Sequence, residues 1–256
     1  MKKPVIYLTT LLLSFGALDA WTITILNPEK PYNNASLFPD GSKMSDFMNL
    51  LSQENTAFSS SSLGGFDISS TDAVIVNLIS SSSSYSTEEL STLAALLNSD
   101  VRVLIFGENS AWDTPNAQLA ELLGGTYEGA EWGSSRSHSA TDPSSENGQL
   151  ILNDVNKIWF SYGIGKIGVG DGDGEALTSG NAISLWGTED NFLVAMDSNF
   201  LDNDNISKNS QLAQNIADFL NGTGITQVPE PSTWAMMLGG SALGLVALRR
   251  RKNSRH

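Results

Sequence analysis

Apolar residues fall along this chain in short blocks whose spacing alternates between that of a strand and that of a helix. Residues 21–26 (WTITIL) are β-branched and aromatic and predict a strand, which Asn27-Pro28 ends. Over residues 42–51, Met44, Phe47, Met48 and Leu51 recur at helical spacing. Residues 73–79 (AVIVNLI) form a nearly continuous apolar run, as expected of a strand covered on both faces. A polar loop follows at 80–84. Ser86-Thr87-Glu88-Glu89 then reads as a capping box, with Ser86 as N-cap and Glu89 reaching back. It opens a helix with Leu90, Leu93, Ala94 and Leu97 on one face. Asn98-Ser99-Asp100 turns the chain into a further buried strand over 101–106 (VRVLIF).

This β-α-β-α-β order favours right-handed crossovers and a parallel sheet. After a loop at Gly107 the pattern predicts a helix over 116–123, stopped by Gly124-Gly125. Residues 126–180 are rich in Gly, Ser and Asp. Their short apolar pieces, 149–152 and 158–162, are expected as added β-hairpin strands. Residues 182–186 and 191–196 pair as a hairpin turning at 188–190. A last helix over 210–220 buries Leu212, Ile216, Phe219 and Leu220. The α/β domain therefore spans 21–222, and a linker over 223–232 follows. No internal repeat is visible.

The two ends obey different rules. Lys2 and Lys3, the apolar run 5–18 and Ala20 have the form of a secretory signal peptide over residues 1–20. At the other end stand Pro229-Glu230-Pro231, an apolar stretch over 233–248, and Arg249, Arg250, Arg251 and Lys252. As a helix the stretch would span roughly 24 Å, short of the hydrocarbon core, with the arginines snorkelling to the interface. Read as a single transmembrane helix, it leaves a basic tail (249–256) in the cytoplasm and the preceding domain outside.

Pro-Glu-Pro, a short span and a terminal arginine cluster, in that order, resemble the PEP-CTERM sorting signal of Gram-negative bacteria. The resemblance implies an exosortase that cleaves near Pro229-Glu230-Pro231, after signal peptidase has acted at the other end. It also implies an association with exopolysaccharide, biofilm or floc formation. The location implied is transient anchoring in the inner membrane with the body in the periplasm, then the cell surface or the extracellular space.

Charge and composition narrow the chemistry. The formal net charge is −14, yet residues 21–227 hold 7 basic against 26 acidic side chains, a net −19. Such a body has no patch for nucleic acid, which needs clustered Lys and Arg. There is no cysteine, so thiolate catalysis, disulfides, iron–sulfur clusters and cysteine-based zinc sites are excluded. The two histidines are His138 and His256.

Several segments together resemble the class I glutamine amidotransferase-like superfamily. They are Asp72-Ala73-Val74-Ile75-Val76, the helix start at Ser86, residues 102–109 (RVLIFGEN) and Asp197-Ser198-Asn199-Phe200. The resemblance implies a flavodoxin-like three-layer α/β/α fold with a mostly parallel sheet, here with an added β-rich insertion. Catalytic members carry a cysteine on the turn after a central strand. Its absence removes amidotransferase activity and leaves a non-catalytic or repurposed relative.

Ligands of open parallel sheets sit beyond the carboxyl ends of the strands. Those ends are Asn27, residues 80–84, Glu108 with Asn109, and Asp197 with Asn199. These groups suit sugar hydroxyls or a cation, and equally the turn and cap chemistry such a fold needs. Glu108 and Asp197 could also form a carboxylate pair for glycoside hydrolysis. A serine triad would have to use His138, and no G-x-S-x-G elbow is present. Asp171, Asp173 and Glu175 are spaced as in a calcium loop, but Ala176 and Ala182 stand where an EF-hand needs Gly and Glu. Trp112, Trp132, Trp159 and Trp186 are either stacking faces for sugars or packing. The reading is an exported, exosortase-processed protein with a non-catalytic structural or binding role in the envelope or exopolysaccharide matrix. The alternative is an envelope polysaccharide hydrolase using the carboxylates at the sheet edge.

Overall fold

The β-branched and apolar runs form strands buried on both faces, and the 3.6-period segments form helices that cover them. The computed structural model describes residues 20–32, 43–52, 56–131, 136–161, 163–170 and 172–223. The expected signal peptide (apart from Ala20), the sorting motif at Pro229-Glu230-Pro231, the apolar stretch 233–248 and the basic tail lie outside them, as do Trp132 and Asp171. Among the described residues no helix is long and apolar enough to cross a membrane.

In chain order the elements are β1 (Trp21–Asn27), α1 (Ser45–Leu51), β2 (Thr56–Ser62), β3 (Ala73–Val76), α2 (Thr87–Leu97), β4 (Arg102–Phe106) and α3 (Asp113–Leu123). Then come β5 (Thr126–Glu131), β6 (Arg136–Ser139), α4 (Glu146–Ile151), β7 (Lys157–Phe160) and β8 (Ile164–Gly168). Last are β9 (Glu175–Ala176), β10 (Ile183–Trp186), β11 (Phe192–Ala195) and α5 (Ser210–Leu220). The central sheet runs β2-β1-β3-β4-β11-β10-β9. It is parallel from β2 through β11, while β10 lies antiparallel to both β11 and β9. Counting β11 as the fifth parallel strand gives the order 2-1-3-4-5 of a flavodoxin-like sheet. The fold is mixed α/β with a mostly parallel sheet. Helix α5 packs against α1 and α4, and α2 packs against α3.

The segment between α3 and β10 adds two antiparallel pairs, β5 with β8 and β6 with β7. Here the structure corrects one expectation. Residues 149–152 are not a hairpin strand but mostly the end of α4, whose N-cap is Ser145, its side chain accepting from the Gly148 N–H. Reading only the apolar residues misses a helix whose start is set by a polar cap four residues earlier. Helix α3 likewise begins at Asp113 rather than 116, because Pro115 in the first turn needs no N–H partner. Gly124 ends it in the left-handed conformation, at φ 70°.

Strand β2 (TAFSSSS) has no hydrophobic signature because it is an exposed edge, held by backbone pairing to β1. Side chains add to that seam: Thr24 and Ser59 hydroxyls are 2.8 Å apart, and Asn27 Nδ2 donates to Ser60 Oγ at 3.0 Å.

The capping box at Ser86 is present, with both reciprocal bonds. Glu89 does more than close it. Its Oε2 accepts from the Ser86 N–H and its Oε1 from the Glu29 N–H, each at 2.7 Å, and the residue is 1% exposed. One carboxylate thus ties the start of α2 to the loop after β1. Glu89→Gln would set an amide NH2 against one of these donors, so it should lower stability by ~1–3 kcal/mol in chemical unfolding. A change near zero would show that the double tie contributes nothing.

Candidate functional site

Strands β4 and β11 end side by side, and the residues just beyond them are polar. Register alone brings them together, since Ala195 pairs with Phe106 and the Gly107 N–H donates to the Ala195 carbonyl at 2.9 Å. Glu108 is 3% exposed and Asp197 fully buried. Glu108 Oε1 accepts from the Ser198 N–H (3.0 Å), the Ser198 hydroxyl (2.6 Å) and Asn199 Nδ2 (3.5 Å). Its Oε2 accepts from the Asn109 N–H and Nδ2 at 3.4 and 3.3 Å. Asp197 Oδ1 accepts from the Asn199 N–H and Nδ2, both at 2.8 Å. Asp197 Oδ2 has no hydrogen-bond partner among the described residues.

Helix α3 supplies the backing. Asn116, 1% exposed, donates from Nδ2 to the Glu108 carbonyl at 2.7 Å and accepts the Glu108 N–H at 3.3 Å. On β8, Gly165 lets the backbone approach so closely that a Cβ there would collide with the Glu108 carbonyl oxygen. Nearby, the Tyr127 hydroxyl donates to Asp113 Oδ1 at 2.6 Å, and partial burial helps raise its pKa to about 12.

Burial pushes both carboxyl pKa values up. For Asp197 the shift is large, burial being the main cause and the Glu108 charge the second, against the Asn199 and Ser161 bonds that lower it. Glu108 is raised by burial and eased by its bonds from Ser198 and Asn109. Each charge disfavours ionisation of the other. Burial beside a second carboxyl favours the neutral form of Asp197, while Glu108 has more donors that suit a carboxylate.

The structure thus brings Glu108, Asn109, Asp197 and Asn199 into one hydrogen-bonded cluster. Both carboxyls are buried, and their hydrogen bonds come from neighbouring backbone, amide and hydroxyl groups. Asn116 and Ser198 belong to the cluster and were not singled out from the sequence. The signal for Asn116 was there, since it stands at i, i+3, i+4, i+7 spacing with Leu119, Ala120 and Leu123, where a polar residue must be buried.

The other candidates are dispersed. His138, on β6, packs edge-on to Phe160, and its pKa is lowered by burial, then by Arg136 and Lys166. Glu175, on β9, accepts from the N–H groups and hydroxyls of Ser144 and Ser145 and so braces the start of α4. Trp112 and Trp186 are buried, and Lys208 Nζ sits 3.5 Å over the Trp159 ring.

Residues 227–252 match the PEP-CTERM protein-sorting motif. The chain carries a PEP-CTERM sorting signal. No curated protein matches the chain in sequence. In structure the body is similar to the mmIFT52 N-terminal domain, with a TM-score of 0.55 and 12% identity over 77% of this chain and 96% of that one. It is also similar to ThuA-like proteins from Bacteroides uniformis (TM-score 0.52, 9% identity, 78% and 91% covered) and Parabacteroides merdae (0.52, 11%, 82% and 93%). At these identities the likeness shows the fold alone. That fold is mixed α/β with a mostly parallel sheet, here in a chain that carries a PEP-CTERM signal and no cysteine.

Because the folded pair holds a proton that the unfolded chain gives up at ordinary carboxylate pH, its stabilisation is present in acid and is lost as pH rises through the folded values. Asp197→Asn removes that proton linkage. The stability of the variant minus wild type should therefore rise as pH climbs above the ordinary carboxylate range, by ~1.4 kcal/mol per unit of raised pKa. A difference that is flat with pH would show that Asp197 is not protonated in the fold.

Proposed function

We propose that this protein is made with a signal peptide over residues 1–20, exported, and held in the inner membrane by the apolar stretch 233–248. An exosortase then cuts it near Pro229-Glu230-Pro231. The three-layer α/β/α body is released or transferred to the cell surface or extracellular space, where it acts without catalysis, as a structural or binding component of the envelope or exopolysaccharide matrix. The observation that carries the sorting half is the PEP-CTERM match over residues 227–252. Support for the non-catalytic half is chemical. The fold lacks the cysteine its catalytic relatives use, and the carboxyl pair at the strand ends is buried and hydrogen-bonded to backbone. Proline on either side of Glu230 disfavours helix in such a sequence, which suits a cutting site. No nucleic acid partner fits a body this acidic.

The test is replacement of Pro229 and Pro231 by Ala in an exosortase-bearing host, following size and location by immunoblot of cell fractions. The variant should accumulate uncut in the membrane fraction. Unchanged size and unchanged release would overturn the sorting route.

A further inference from the structure

Strand β2 is the outermost strand on its side of the sheet, with no strand beyond it among the described residues. The Leu63 N–H donates to the Asn27 carbonyl at 2.8 Å, which continues the parallel register with β1 and sets the odd-numbered residues of β2 facing β1. Phe58, Ser60 and Ser62 therefore turn their backbone N–H and C=O groups the other way. Residues 57–62 are all exposed, and Phe58 is one of two large apolar side chains exposed among the described residues. Such a row is a template for another strand, and proteins commonly guard it with charge, proline or a very short strand. The seven residues of β2 carry neither a charge nor a proline.

The place where the body ends supplies the second, independent observation. Helix α5 begins after β11 and stops beside the start of β2. Thr56 Oγ1 donates to Asn221 Oδ1 at 3.1 Å, and Asn221 is buried. Trp21, the first residue of β1, donates from Nε1 to the Leu220 carbonyl at 2.8 Å, and its ring lies against Gly222. The chain thus leaves the body at the starts of β1 and β2. An extended residue adds about 3.3 Å and the next strand position lies about 4.8 Å beyond β2, so a few residues past Thr223 reach it. Helix α5 packs on α1, the helix that joins β1 to β2. A strand laid beside β2 after α5 makes a parallel crossover of the same hand as β1-α1-β2, the hand that nearly all such connections take.

The sequence past Thr223 suits that position. Residues 224–229 lie outside the described residues, but their composition is plain: residues 219–229 hold no charged side chain, and 225–228 (ITQV) are β-branched at three of four positions. Pro229, which has no N–H to give to a ladder, follows at once. A second copy is the poorer occupant, since it would bring one strongly acidic body against another. We propose that residues 225–228 dock on β2 as an added parallel outer strand, so that the chain's own tail covers the open side of its sheet. A cut near Pro229-Glu230-Pro231, on the route proposed above, leaves this strand with the body. The docking itself does not depend on that route, so its test and the sorting test can fail separately.

Full-length protein in detergent is transferred to deuterated buffer at several protein concentrations, and amide exchange is read residue by residue by mass spectrometry. Residues 225–228 and the Phe58, Ser60 and Ser62 amides should exchange at least about tenfold more slowly than in short unstructured peptides, at every concentration. Thr226→Pro/Gln227→Pro takes one N–H from each of the two alternating sets in the tail. In that variant the Phe58, Ser60 and Ser62 amides should exchange at least about tenfold faster than in wild type. The Ile23 and Ile25 amides of β1 should stay slow, which reads that the body remains folded. Three results would overturn the proposal: exchange of 225–228 at the peptide rate, protection of Phe58, Ser60 and Ser62 that appears only at high concentration, as a second copy would give, or β2 amides indifferent to the two prolines.

Discussion

The pairing of β11 beside β4 is the contact on which the rest of this molecule depends. Val103–Phe106 and Phe192–Ala195 are each at most 1% exposed, and burying such side chains gives about 1.5–3 kcal/mol apiece. That apolar gain offsets the closure of the long chain segment between the strands, whose entropy cost grows only slowly with length. The insertion with its two antiparallel pairs is folded into that closed segment. Both edges of the sheet then follow from one register. At the carboxyl end it sets Ser198 on Glu108, 90 residues apart in sequence. At the amino end it holds Asn191 against Ser99, the Asn191 carbonyl accepting the Val103 N–H at 2.8 Å.

The two edges use their polar groups in opposite ways. At the carboxyl edge the cluster is nearly self-sufficient: donors from Ser198, Asn109 and Asn199 meet acceptors on Glu108 and Asp197, and Asn116 clamps the Glu108 backbone from behind. Burial and the neighbouring Glu108 charge raise the Asp197 pKa and favour its neutral form. At the amino edge Asn147 Oδ1 and Asn191 Oδ1 are buried without a hydrogen-bond partner among the described residues. The first arrangement seals an edge beyond which ligands of open parallel sheets usually sit.

What could be read from the sequence follows from which forces leave a local trace. The strands at 21–27, 73–76, 102–106 and 192–195 are legible because a buried parallel strand must be apolar on both faces. Helix α2 is legible because its capping box sits in consecutive residues. Strand β2 left no trace, since its residues are exposed and its bonds are to the backbone of β1. Helix α4 was taken for a strand because its start depends on Ser145 and on Glu175, 30 residues downstream. Glu108 and Asp197 were picked out by their place after strands. Their burial was not legible, because it depends on Gly165 and Asn116 arriving from elements distant in sequence.

Charge links the body to its proposed export. Residues 21–227 carry 26 acidic against 7 basic side chains, and among the described residues the ion pairs join Glu131 to Arg136 and Lys166. Such a surface is repelled by an anionic membrane over about a Debye length and keeps the body soluble against its own copies. In the intact chain that repulsion is opposed by the apolar stretch 233–248 and by Arg249, Arg250, Arg251 and Lys252, which favour the cytoplasmic leaflet. A cut near Pro229-Glu230-Pro231 would remove both at once. The body would then change from an anchored domain to a polyanion with no affinity for the surface it left, so the same composition that excludes nucleic acid also drives release.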